Sequence, residues 1–160
     1  MRVNNYKTAL DTKTHMAYLV KEQGFNCKEV NSKTCCSPQS VAEIMRLCYD
    51  IHKETEENCY LMCTDKKGNL IGVFHLSKGS VDMSIVSTRD VLVKALLYNA
   101  VGIILIHNHP SQNATPSESD KTLTKRMKQA ADIVGLSLED HVIVCEDTYF
   151  SFHENNILNS

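Results

Sequence analysis

From Val101 to Ile106 the chain runs Val-Gly-Ile-Ile-Leu-Ile, without a polar side chain, and then turns abruptly polar at His107. A short β-branched run of this kind reads as a strand buried on both faces. Upstream, Cys59, Leu61 and Cys63 alternate with Tyr60 and Met62. That period of two predicts a strand over Asn58 to Thr64. Asp65-Lys-Lys-Gly-Asn69 predicts a hairpin turn with positive φ at Gly68 and Asn69, and Leu70 to Leu76 pairs back. Three stretches carry helical spacing instead. Val41, Ile44, Met45, Cys48 and Ile51 follow Ser37-Pro38, an N-cap with proline in the first helical position, and this helix ends between Lys53 and Glu56. After a break at Gly79-Ser80, Ser87 or Thr88 opens a second helix through Val91, Leu92, Ala95, Leu96 and Tyr98, ending near Asn99. Ser117 opens a third, with Leu123, Met127, Ala131 and Val134 as its buried stripe and Gly135 as its stop. Leu138 to Val144 is a further strand, turned at Glu146-Asp147 and paired by Tyr149 to Phe152.

The two ends carry weaker patterns. Asn5 to Leu10 reads as a short edge strand. Asp11 to Thr34 is polar and of low periodicity, with Tyr18-Leu19-Val20 as a strand candidate and Gly24 as a turn. Glu154 to Ser160 reads as a frayed tail. Strands and helices alternate irregularly, with two hairpins, so the class is α/β or α+β around one mixed sheet. A chain of 160 residues is one domain by length. Its expected division is an N-terminal extension over 1–36, the main domain over 37–153 and the tail over 154–160.

Composition narrows the function classes. Net charge is -2, so no overall field draws the chain to nucleic acid or an anionic membrane. No apolar run approaches the ~18 residues of a membrane span. The first residues, Met1-Arg-Val-Asn-Asn-Tyr, lack an apolar signal core, so a cytoplasmic location is expected. The 7 cysteines are odd in number and contain no Cys-x-x-Cys pair. The expectation is free thiols acting as small hydrophobes, with Cys59 and Cys63 in the core and the adjacent Cys35-Cys36 unable to chelate together.

The chemistry concentrates where the apolar strand ends. His107 and His109 stand two apart, so an extended backbone points both imidazoles to one side. Asp120 follows at the start of the third helix. Two imidazoles and a carboxylate form a three-ligand set that leaves one tetrahedral position open, the pattern of a catalytic zinc site. The plainer readings are a pair of exposed loop histidines, and a capping box over Ser117-Glu-Ser-Asp120. Lys121, Lys125 and Lys128 share a helix face, read as solvated. His15, His52, His75 and His153 have no partner at metal spacing.

The register His107-x-His109, Ser117, Asp120 resembles the JAMM signature of the MPN (Mov34/JAB) metalloprotease superfamily. The longer text His107-Asn-His-Pro-Ser-Gln and Thr115-Pro-Ser-Glu-Ser-Asp120 is similar to its RadC-like branch, and the likeness runs from about Asn5 to Phe152. The resemblance implies an MPN/JAB-like fold with cytidine-deaminase-like layering, a curved mixed sheet flanked by helices. It implies one zinc ion per chain on His107, His109 and Asp120. It also implies Glu57 as general base, with Glu54 and Glu56 as competitors that read as solvated helix-end carboxylates. Ser117 is implied as an oxyanion donor, a role compatible with capping. Asp140-His141 recurs in such sequences and could support the site, although a satisfied structural histidine is the favoured reading. Arg89 matches a family arginine, with Thr88 where proline is usual. Gln112 stands where glycine is usual, which puts the loop's shape in question.

The activity so implied is zinc-dependent hydrolysis of a peptide or isopeptide bond in a protein or peptide substrate. The alternative is a DNA-associated accessory role, although the helix-hairpin-helix glycines of longer RadC-like proteins are not found in Met1 to Thr34. An HNH nuclease reading of His107-Asn108-His109 is discounted because that motif is spread over a longer element. An inactive MPN scaffold ranks last, because the ligand set is full.

Overall fold

A computed structural model describes residues 2–26, 37–79 and 86–158 of the chain. The Cys35-Cys36 pair and Ser80 lie outside the described residues. The elements run β1 (Arg2–Leu10), β2 (Ala17–Asn26), α1 (Pro38–Tyr49), a 3-10 turn (Ile51–Lys53), β3 (Asn58–Thr64), β4 (Leu70–Lys78), α2 (Thr88–Leu97), β5 (Gly102–Asn108), α3 (Glu118–Ile133), β6 (Ser137–Val144) and β7 (Tyr149–Ser151). One seven-stranded mixed sheet has the order β2-β1-β4-β3-β5-β6-β7, consistent with a JAB/MPN-like α+β fold.

The apolar run ends up central because both of its faces are covered. Ile103 and Leu105 join one core with Val91 and Ala95 of α2 and Leu123, Met127 and Ala131 of α3. Ile104 and Ile106 join the other with Val41, Ile44, Met45 and Cys48 of α1. β3 divides the same way: Cys59, Leu61 and Cys63 face α3, and Met62 faces α1. Each buried aliphatic side chain contributes about 1.5–3 kcal/mol relative to exposure, so the alternation along β5 and β3 fixes which face each residue takes.

Helix ends follow local chemistry. Ser37 caps α1 with its hydroxyl on the Ser40 amide, and Pro38 opens the helix. Ser87, not Thr88, caps α2. α1 stops at Tyr49, several residues before the expected end, because Asp50 adopts a left-handed backbone (φ 48) and the chain continues as a 3-10 turn. In the β3–β4 turn only Gly68 has positive φ (73); Asn69 does not, and instead closes the turn through bonds to the Asp65 carboxylate.

Four further expectations are corrected. β1 is not an edge strand but lies between β2 and β4, and Ala17–Asn26 of the polar stretch after it form the ten-residue edge strand β2, while residues 27–34 of that stretch lie outside the described residues. Its alternation is weak because the strand lies at the sheet margin and none of its residues is fully buried. Val134 is 41% exposed, past the end of α3, and so leaves the expected stripe. Cys48 is disulfide-bonded rather than free, whereas Cys59, Cys63 and Cys145 are free and buried. The tail is not frayed through Leu158: that side chain is buried, and the Ile157 amide donates to the Phe152 carbonyl. Among the described residues no helix is long and apolar enough to cross a membrane.

Candidate metal centre

His107, the penultimate residue of β5, lies on the same face as Leu105, so it points under α3. His109 follows one residue past the strand. α3 begins beside them with a complete capping box: Ser117 caps the Asp120 amide, and the Asp120 carboxylate accepts from the Ser117 amide. A carboxylate in the first helical turn is also favoured by the helix dipole. The outcome is a cluster in which a ring nitrogen of His107, one of His109 and a carboxylate oxygen of Asp120 all lie within 4.8 Å of one another. Capping and clustering are both realised, because the two carboxylate oxygens divide the work. Asp120 Oδ2 accepts from the Ser117 amide and hydroxyl, each at 2.7 Å. Asp120 Oδ1 is buried and has no hydrogen-bond partner.

The protons around the two rings can be followed bond by bond. Thr124 Oγ1 donates to the Asp120 carbonyl (2.6 Å), so it accepts from His141 Nδ1, also at 2.6 Å. Burial pushes His141 down to about 4, so near neutral pH its single proton sits on Nδ1. His141 Nε2 therefore accepts from His107 Nδ1 at 2.9 Å. On the other ring, His109 Nδ1 donates to the Asn113 carbonyl at 2.7 Å. In both neutral imidazoles the Nε2 lone pair is then bare, and the two Nε2 atoms face each other at 3.0 Å. Asp120 Oδ1 lies 3.4 Å from one and Asp120 Oδ2 3.6 Å from the other. Three electron-pair donors converge with no proton between them. Such a set is able to hold a metal ion, and outer-sphere bonds from the far ring nitrogens are the usual means of aiming histidines at a metal.

The titration shifts agree. Burial, and then the neighbouring His141, hold His107 well below the ordinary histidine range. Burial alone would lower His109, but the Asp120 hydrogen bond, the Asn113 carbonyl and the Asp120 and Glu57 charges outweigh it and raise it. Burial would raise Asp120, yet the two imidazoles and the Ser117 donors hold it well below the usual carboxylate range. Below the raised His109 value, a proton on His109 takes the place of a cation in the cluster. A metal ion must displace that proton, while His107 and Asp120 have none to lose. Metal affinity is accordingly expected to fall by about one log unit per pH unit below the raised His109 value and to flatten above it. Competitive zinc titrations at several pH values check the slope; a flat profile through the histidine range would contradict it.

Glu57 reaches the cluster through strand register. Cys59 of β3 pairs with His107 of β5 in an antiparallel ladder. Continuing that register by two places sets Glu57 across from His109, on the same face. Its carboxyl is raised by burial, lowered by the His109 charge and raised by Asp120, which places it within electrostatic reach of both. Glu57 Oε2 is buried and unpartnered. Glu54 and Glu56 instead face Lys78 at the surface, at 3.1 and 3.9 Å.

Asn108 and Thr124 have places beside the cluster that the sequence did not suggest, and His141 lies where the resemblance allowed a supporting role. Asn108, the middle letter of His-Asn-His, points to the opposite face and accepts from the Asn58 amide (2.7 Å) while donating to the Glu56 carbonyl (3.1 Å). It thereby ties the backbone on either side of Glu57 to the strand carrying His107. Its position between two candidate ligands was the available signal. His141 is satisfied and lies directly behind His107, since it stacks on Phe152 and bonds the His107 ring. Thr124 carried no signal beyond its place one turn after Asp120. Cys59 and Cys63 offer no thiolate to the cluster: burial pushes both thiols up to about 12, so they stay protonated.

Comparison with known proteins agrees with this architecture. The family profile of the RadC-like JAB domain matches residues 35–157. A UPF0758 protein of Thermotoga maritima is 42% identical over 119 residues, covering 74% of this chain and 54% of that protein. A UPF0758 protein of Actinobacillus pleuropneumoniae serotype 7 is 40% identical over 110 residues, covering 68% and 50%. One from Clostridium acetobutylicum is 33% identical over 131 residues, covering 82% and 56%. The chain spans about half the length of the curated relatives it matches. With the profile spanning most of the chain and the sheet and helices arranged as above, this protein belongs to the RadC-like JAB domain family, relatives of the JAMM proteins.

Proposed function

We propose that the chain is a zinc-dependent hydrolase of JAMM type that cleaves a peptide or isopeptide bond. The observation that carries the reading is the convergence of two bare imidazole nitrogens and an unpartnered buried carboxylate oxygen on one point. His107, His109 and Asp120 would hold one zinc ion, whose chemistry when bound is to acidify water and polarise a carbonyl. Glu57, facing the cluster with its carboxyl raised by burial, accepts a proton from the attacking water as the new C–O bond forms. It returns that proton to the leaving amine as the C–N bond breaks. The Ser117 hydroxyl, on turning from Asp120, donates to the oxyanion of the tetrahedral intermediate, a contribution of about 2.7–4 kcal/mol for donors of this kind. His141 and Thr124 keep the His107 proton on the far side of its ring.

The substrate in this reading is a protein or peptide. A DNA-associated role draws no support from the charge: the helix lysines Lys121 and Lys128 are paired to Glu118 and Asp132. The experiment is cleavage of a peptide library read by mass spectrometry. Products are expected with zinc present, lost with a chelator and regained on adding zinc back. Products that persist at full yield in chelator would sink the zinc-dependent reading.

A further inference from the structure

The loop that presents His109 contains one left-handed residue, Gln112 (φ 60). Glycine takes such a bend freely, whereas a side chain with a Cβ resists it. A non-glycine residue persists there only if its surroundings hold it. The surroundings are visible. Gln112 Nε2 donates to the His52 carbonyl at 3.0 Å, in the 3-10 turn after α1. Gln112 Oε1 accepts from the Glu146 amide at 2.8 Å, in the β6–β7 turn. The Gln112 amide donates to the His109 carbonyl at 2.9 Å. One side-chain amide thus spans the space between two elements far apart in sequence, with both of its polar ends used. The next residue is Asn113, whose carbonyl accepts from His109 Nδ1 and so keeps that ring's Nε2 bare toward Asp120.

We propose that Gln112 is a positioning residue for the metal centre: its side-chain bridge from His52 to Glu146 holds the left-handed bend that places the Asn113 carbonyl behind His109. The inference rests on the metal-site reading above. It concerns neither a ligand nor the reacting atoms, but the aim of one ligand. Alanine and glycine separate the bridge from the bend. Q112A keeps the disfavoured backbone and removes both side-chain bonds. Q112G removes the same bonds but takes the bend without strain.

The test measures zinc and cobalt(II) affinity for the full chain and both variants, the visible spectrum of the cobalt form, and hydrogen exchange of the Glu146 amide without metal. Q112A is expected to bind zinc about tenfold or more weakly, in the range for residues that orient a ligand from behind. Its cobalt spectrum should change, and its Glu146 amide should exchange faster. Q112G is expected to share the faster exchange yet to bind zinc within about threefold of wild type, because glycine holds the bend unaided. Wild-type affinity in Q112A overturns the proposal. So does Q112G binding as weakly as Q112A, because the bend is then not what the bridge secures. Unchanged Glu146 exchange in Q112A shows that the bridge is absent. Failure of the wild type itself to take up zinc is a different result, one that removes the metal-site reading and this inference with it.

Discussion

Zinc affinity of the His109→Ala variant is expected to fall by roughly 10²-fold or more, with the metal-free fold intact. Zinc held by a full ligand set is worth about 10–16 kcal/mol, so one of four positions accounts for about 3 kcal/mol, or a factor near 10². The fold should tolerate the change because His109 lies past the end of β5 and is not in either apolar core. Its removal leaves Asp120 Oδ2 still bonded to the Ser117 amide and hydroxyl. Asp120→Ala is expected to match the loss of zinc and also to remove the carboxylate half of the capping box, the bond from the Ser117 amide, at a cost of about 1 kcal/mol. Isothermal titration with zinc, set beside thermal unfolding without metal, separates the two effects. If His109→Ala takes up one zinc per chain with wild-type affinity, the centre has been assigned wrongly.

Glu57→Gln should divide activity from both metal binding and stability. Glutamine has the same shape but cannot accept a proton, so turnover on any peptide the wild type cleaves is expected to drop by about 10²–10⁴-fold. Zinc uptake should remain near wild type, because Glu57 is outside the cluster of converging ligand atoms. Stability should shift the other way. The folded Glu57 carboxyl is raised, chiefly by burial, so the folded protein binds that proton more tightly than the unfolded chain does. Stability is therefore lost as pH rises from the unfolded value through the raised folded one. Glutamine suffers no such loss. The metal-free variant is expected to melt slightly above wild type at neutral pH, and the difference should vanish in acid below both values. Equal turnover by Glu57→Gln and wild type would remove Glu57 from the proton-transfer role.

The elements that were legible from the chain are those whose signals are local. β3 runs from Asn58 to Thr64 as its alternation predicts, and Ser37, Ser87 and Ser117 each cap the helix they precede. A period of two or of 3.6 and a capping hydroxyl depend on residues only a few places apart. β2 was only hinted at by Tyr18 to Val20. It lies at the sheet margin, where burial imposes little pattern, and its length shows only against β1. The disulfide at Cys48 also lacked a signal, since an odd cysteine count without paired spacing reads as free thiols.

What the sequence determined by itself is the inventory: a doubly buried strand, two histidines at its end and a capped helix beginning with Asp120. What only the tertiary structure decided is how distant strands are set against one another. Cys59 pairing with His107 carries Glu57 across from His109. A register shift opposite Ile103 and Ile104 leaves Glu139 as an extra residue in β6, so that His141 aligns with Leu105 rather than Ile106 and turns toward His107. A shift of one residue in a sheet reverses every side chain beyond it. Whether His141 backs the metal ligand or lies on the other face of the sheet therefore depends on a long-range pairing that no local pattern encodes.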